Sequence, residues 1–275
     1  MIKTIRIVAA FSASFMLSAC GTTFEIPKAA DIHVASANKM FAKANSEHAR
    51  ASLTQDAAQR RFARVSPRVK RAGESYCKVL MVERAGFDCD VDIKIDRKLA
   101  SRNAYFTRVS GKPVIRISLP LLKDTGSDDE VAFVLSHEYG HLIGRHLEKQ
   151  QQQALAGALI LGAVAAAATA QSSPYGTYHD HDAVSNSMDL GAAIGSMAYS
   201  QSFELESDSL GARIAHAAGY DPVKGAQFFA RPEEAHTAAG TLSFWGTHPP
   251  DAKRLATVLA TVDQINANIG LQISK

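Results

Sequence analysis

Two histidines four residues apart, with a glutamate directly after the first, set the tightest limit on what this chain can become. They lie within Val131–Leu147, VAFVLSHEYGHLIGRHL. On a helix His137 and His141 fall one above the other on a single face, as two imidazoles must to reach one metal ion. Glu138 is the next residue round, placed beside such a metal rather than on it, where the general base of a metalloprotease stands. Val131, Val134, Leu135 and Leu142 keep the three-and-four spacing of a buried helical stripe. Ser127, Asp128 and Asp129 supply capping oxygens and negative charge ahead of it, so a helix is expected here independently of the motif.

Two histidines do not complete a catalytic zinc site, which needs a third protein ligand and an open position. In the metzincin pattern a glycine breaks the helix and a third histidine follows three residues later. Gly144 is in place, but position 147 is Leu and His146 comes one residue early, so that register fails. The alternative is a carboxylate on a later helix. Met188–Ala217 has long helical character and contains Phe203-Glu204-Leu205-Glu206-Ser207-Asp208. Glu204 and Asp208 share a face, which suits a ligand plus an acid that orients a ligand histidine. Glu206 points off that face and reads as an ordinary acid.

The amino terminus reads as an address rather than as fold. Lys3 and Arg6 precede an apolar run from Ile7 to Leu17, which ends in Leu17-Ser18-Ala19-Cys20. That arrangement resembles a bacterial lipoprotein signal over residues 1–19, with Cys20 lipidated and holding the mature chain on a membrane. Gly21 after the cysteine suggests the periplasmic face of an outer membrane. The full chain carries 30 basic and 27 acidic side chains; removing Lys3 and Arg6 leaves 28 against 27, a net charge of +1. Nucleic acid is therefore not expected as a partner. Of the three cysteines, Cys77 and Cys89 remain, and in an exported protein they suggest a disulfide, the alternative being two buried thiols.

The remaining chain reads as a tether at 20–32, a helix-favouring segment at 33–66, a catalytic domain at 67–265 and a tail at 266–275. Within the domain, a helix starts after Pro67 and runs to Gly86. Val91, Ile93 and Ile95 alternate with polar residues, Asn103–Arg108 is a further candidate, and Val114–Leu119 follows the Gly111-Lys112-Pro113 turn, which predicts a small antiparallel sheet. Ala154–Ala170 is apolar but short and rich in Ala and Gly, better suited to a buried or membrane-skimming helix than to a span of about 20 residues. In the polar loop that follows, His179 and His181, flanked by Asp180 and Asp182, read as a solvated cluster, the alternative being a secondary metal site. The expected class is α+β, mainly helical, with enough apolar residues for one core.

Several separated motifs together resemble one family. His137-Glu138-Tyr139-Gly140-His141, Glu204-x-x-x-Asp208 leading into Gly211, Ala218-Gly219-Tyr220-Asp221-Pro222 and Thr247-His248-Pro249 occur in the order found in the zinc metallopeptidases of HtpX and the CAAX prenyl proteases. The lipoprotein signal matches the soluble periplasmic branch that includes BepA, LoiP and YcaL. The resemblance implies a zincin-like gluzincin domain with one Zn2+ held by His137, His141 and Glu204, Glu138 as base and Asp208 behind a ligand histidine. It also implies that Asn103 and the strand carrying Val114, Ile115 and Ile117 form the edge of the cleft, where an extended peptide could pair by its main chain. Gln201 and Ser207 depart from the family, which usually has Arg and Ala there.

His248 matches a family element lying over the site. It could stabilise the oxyanion, occupy the open zinc position, or simply cap the helix starting near Asp251. The activity implied is a lipid-anchored zinc endopeptidase of the bacterial periplasm, acting on unfolded or misassembled envelope proteins. The rival is a lipid-anchored chaperone-like or binding module with a latched or structural zinc.

Overall fold

The motif helix is buried on every side, and the other elements are arranged as its walls. The computed structural model describes residues 21–46, 52–156, 199–231 and 243–274. The signal segment with Cys20, all but the first three residues of Ala154–Ala170, the His179/His181 loop and positions 188–198 of the long predicted helix lie outside the described residues. Residues 22–145 and 200–274 form one unit. A second unit includes 146–156, which are helical, and Tyr199. No helix among the described residues is long and apolar enough to cross a membrane.

In chain order the helices of the first unit are α1 (Asp31–Ser46), α2 (Gln55–Leu80), α3 (Leu119–Asp124), the motif helix α4 (Asp128–Ile143), α5 (Gln201–Ala217), α6 (Pro222–Ala226), α7 (Phe244–Thr247) and α8 (Ala252–Asn266). Strands β1 (Asp92–Asp96), β2 (Ala104–Val109) and β3 (Lys112–Ser118) lie between α2 and α3. In α4 the Ser127 side chain accepts from the Glu130 N–H, and every residue from Glu130 to Ile143 is buried. A helix buried all round needs neighbours that come close, and they do so at glycines. A Cβ on Gly140 would lie 2.8 Å from the Ser207 backbone of α5, one on Gly211 3.0 Å from the His137 backbone, and one on Gly73 of α2 2.7 Å from the Tyr139 ring. The first two contacts lay the Glu204 helix directly against the histidine helix.

Helix α2 runs through Pro67, where a boundary was expected. Proline removes one N–H and costs about 3 kcal/mol inside a helix. Val65, Val69, Gly73 and Cys77 form one buried stripe on both sides of it, and burying each large apolar side chain returns about 1.5–3 kcal/mol. Residues 55–66 and the start of the expected catalytic domain are therefore continuous through α2. A disulfide joins Cys77 to Cys89 with Cα atoms 5.8 Å apart, tying the end of α2 to the approach to β1. Closing so short a loop stabilises by about 3 kcal/mol in the chain-entropy view.

The sheet is mixed, in the order β1-β3-β2, and not antiparallel throughout. β2 and β3 form an antiparallel hairpin through Ser110 and Gly111, both at positive φ. β1 pairs parallel with β3. Successive strands still reverse direction, but β3 inserts between its predecessors, and alternation along a strand carries no information about neighbour order. β3, with Val114, Ile115 and Ile117 buried, is accordingly the central strand and not an edge. Both its sides are already hydrogen-bonded, which rules out pairing with a peptide there.

Residues 23–25 and 272–274 are docked as well. Phe24 and Ile273 form a β-bridge, Glu25 N–H donates to the Gln272 carbonyl at 2.8 Å, and Ser274 N–H donates to that of Thr23 at 3.0 Å. Thr23 Oγ1 donates to the Gly144 carbonyl at the end of α4. The expected tether and tail thus clasp each other and the catalytic helices.

Candidate metal centre

His137 and His141 come from α4, Glu204 from α5 and His248 from the residue just after α7. The four side chains are buried and offer one donor each within 4.8 Å of one another. His137 Nε2 lies 3.0 Å from His141 Nε2 and 3.3 Å from His248 Nδ1. Glu204 Oε2 is 3.4 Å from His137 Nε2, Oε1 is 3.4 Å from His141 Nε2, and His248 Nδ1 is 3.1 Å from both oxygens. Donors on a tetrahedron about 2.0–2.1 Å from its centre are separated by about 3.3 Å, so the spacing and the nitrogen–oxygen chemistry both fit a zinc-sized cation.

The groups behind these donors fix their directions. His137 Nδ1 lies 2.9 Å from Asp208 Oδ1, which leaves Nε2 to the cluster. Asp208 in turn accepts from Arg254 Nε and Nη2, both at 2.7 Å, while Arg254 Nη1 lies 3.1 Å from Glu204 Oε2. The same Nη1 donates to the His248 carbonyl at 3.2 Å, and the guanidinium stacks 4.0 Å from the centre of the Phe229 ring. Burial alone would raise both carboxyls. His248, Arg254 and His137 hold Glu204 well below the usual range, and Arg254 and His137 hold Asp208 down too. Burial disfavours charge on His137, but Glu204 and Asp208 overcome it and bring the imidazole to about 9. Both carboxylates are therefore ionised at neutral pH, Glu204 within the donor group and Asp208 behind His137.

Glu138 behaves differently. It is fully buried, and among the described residues neither carboxylate oxygen closes a hydrogen bond. Burial pushes its carboxyl up, against the pull of His248, His137 and the Phe106 amide of β2. His248 Nε2 stands 3.4 Å from it. Glu138 is thus held beside the donors without joining them, which is what a proton acceptor next to a metal requires.

The sequence profile of Peptidase family M48 matches residues 63–262, more than half of the chain. The chain belongs to peptidase family M48. Among curated proteins none matches it. Membership accounts for the convergence of the two-histidine helix with the Glu204 helix, and it makes the protein a metallopeptidase of a metal-dependent family.

Asn103 sits next to this M48 centre, with Oδ1 3.5 Å from Thr247 Oγ1. Val114, Ile115 and Ile117 lie buried on the central strand β3, while β2 is an outer strand of the sheet. His146 is not part of the donor group. Gln201 is bonded to Asp251, the cap of α8. Two important groups escaped the sequence. Arg254 is one basic residue in the first turn of α8, and only folding brings it to Asp208 and Glu204. Glu206 does face away from the metal side, but it is buried and accepts the Phe24 N–H at 2.6 Å. Neither carries a local signal, since each partner lies more than 40 positions away.

Proposed function

We propose that this M48 protein is a zinc-dependent endopeptidase, anchored through a lipid on Cys20 in the bacterial periplasm, that cuts unfolded or misassembled envelope proteins. The observation that carries the reading is the pairing of a saturated, acid-backed donor cluster with Glu138, a buried carboxylate left outside it. Zinc, when bound, supplies Lewis acidity toward a scissile carbonyl and acidifies water. His137, His141 and Glu204 would hold it. Asp208 accepts the Nδ1–H of His137 and fixes that ring, while Arg254 balances the two acids. Glu138, with its raised pKa, takes the proton of the attacking water and returns it to the leaving amine.

His248 turns Nδ1 into the donor cluster, at 3.1 Å from Glu204 and 3.3 Å from His137. This favours a latch over an oxyanion contact, because an oxyanion donor would face the substrate carbonyl and not the metal ligands. A fourth protein ligand is also what a structural zinc site has, so the rival binding module keeps this one observation in its favour. Metal analysis and casein cleavage separate the two. Glu138→Gln is expected to retain one zinc per chain and to lose at least about a hundredfold in cleavage rate. Undiminished cleavage would overturn the assignment, and zinc without turnover in either wild type or His248→Ala would favour the rival.

A further inference from the structure

The segment expected to tether the domain is folded onto it. Thr22 Oγ1 lies 3.1 Å from Ser274 Oγ, and Phe24 is buried with its N–H donating to the buried Glu206 carboxylate. Main-chain bonds between 23–25 and 272–274 complete the clasp. Position 20 is only two peptide steps from Thr22, at most about 7 Å of chain. A lipid on Cys20 would therefore hold this clasp against the bilayer surface rather than on a leash.

The clasp also leaves apolar side chains uncovered. Of the eight large ones exposed among the described residues, Ile32, Val34, Ile269 and Ile273 belong to the two segments 21–34 and 263–274. Ile273 is 70% exposed although it pairs with the buried Phe24, and Ile32 is 72% exposed. Their backbone is held in place: the Ile269 carbonyl accepts from Arg213 Nη1 at 2.9 Å, its N–H donates to the Gln264 carbonyl at 2.8 Å, and His33, next to Ile32, lies 2.7 Å from Asp263 Oδ2. Apolar groups already ordered by the fold cost little further entropy when another surface covers them. The same segments carry Lys28 against Glu25, Asp31 and Asp263, so they form no basic patch, and the surface they suit is apolar rather than anionic.

We propose that the clasp is a membrane-contacting surface, with Ile273, Ile269 and Ile32 entering the interfacial layer of the bilayer that carries the Cys20 lipid. This rests on the lipid-anchored reading above and deepens it: the domain is docked on the membrane in one orientation, not suspended from it. Three isoleucines are too few to bind a bilayer from solution. The neighbouring lipid makes their insertion an intramolecular step at high effective concentration, and they in turn fix which face of the domain looks away from the membrane.

The test uses the lipidated protein in vesicles of phosphatidylethanolamine and phosphatidylglycerol whose acyl chains are brominated, so that they quench an indole lying among them. The one native tryptophan, Trp245, is buried and gives the baseline. Ile273→Trp and Ile269→Trp add an indole on the clasp, and Val109→Trp adds one at the exposed end of β2. The two clasp variants are expected to lose about half or more of the added emission, and Val109→Trp none. Quenching at neither clasp position, in protein that floats with the vesicles, overturns the surface and leaves the anchor standing. Equal quenching at Val109 also overturns it, because the domain then has no preferred face. Mass spectrometry of Cys20 tests the underlying reading separately: an unmodified cysteine overturns anchor and surface together.

Discussion

The two halves of the metal centre are held in opposite ways. One half, on α4 and α5, is clamped by backbone contact at Gly140 and Gly211 and by the Asp208–Arg254 pair. The other half, His248, follows one turn of helix between Ser243 and Asp251 and is fastened by main-chain bonds, by the Arg254 guanidinium at its carbonyl and by Glu204 at its ring. Three donors are built into long helices, whereas His248 sits just after a single helical turn, as the latch reading requires. The difference teaches that four equidistant donors need not be four equivalent ligands.

The largest expected effect breaks the fixed half. Arg254→Met strands the Asp208 and Glu204 carboxylates without their buried cation, and losing one partner of such a pair costs about 3–5 kcal/mol. Zinc affinity should fall about 10- to 100-fold, read by competition with a chelator. An unchanged affinity would mean that Arg254 contributes nothing to the ligand geometry. Next comes Gly211→Ala, which drives a methyl into the His137 backbone and should destabilise by about 1–3 kcal/mol in denaturant unfolding. The corresponding change at Gly86, where nothing lies within 4 Å but φ is positive, tests backbone strain without the helix contact.

For the movable half the expected sign is opposite. His248→Ala should retain zinc and raise casein cleavage several-fold, below the about 1.4 kcal/mol that a tenfold change represents. A rate lowered a hundredfold would assign His248 to transition-state stabilisation and remove the contrast between the halves.

The smallest effect concerns the entry to α4. Asp128 accepts from Arg64 at 2.7 Å and from Arg61 at 3.2 Å, and the Arg64 hydrogen bond chiefly holds its carboxyl below the usual 3.8. A depressed folded pKa adds stability that is fully present above the unfolded value and is lost as pH falls through the folded one. Asp128→Asn should therefore cost about 0.5–1 kcal/mol near neutral pH, a part-exposed pair being screened, and the gap should close as pH falls below the usual carboxylate range and through the depressed folded pKa. A gap that persists in acid would assign the effect to helix capping geometry instead.

Much of the centre was legible because its signals are local. The spacing of His137, Glu138 and His141 is a statement about one helix, and so is that of Glu204 and Asp208. The Cys77–Cys89 pairing and the strand positions likewise follow from short-range pattern and context. Pro67 misled because the tertiary stripe of Val65, Val69 and Gly73 outweighs one missing hydrogen bond. The edge strand was misplaced because β3 reads the same whether it stands at the rim or the centre of a sheet.

The sequence by itself determined the chemistry that can occur: two imidazoles and a base on one helix, with an acid pair on another. Tertiary structure decided which strand borders the site, that Arg254 and Glu206 are buried, and which nitrogen of His248 faces the cluster. The physical reason is range. Helical period and capping act over a few residues, whereas sheet order and buried ion pairs depend on partners that the chain brings together only when its core closes.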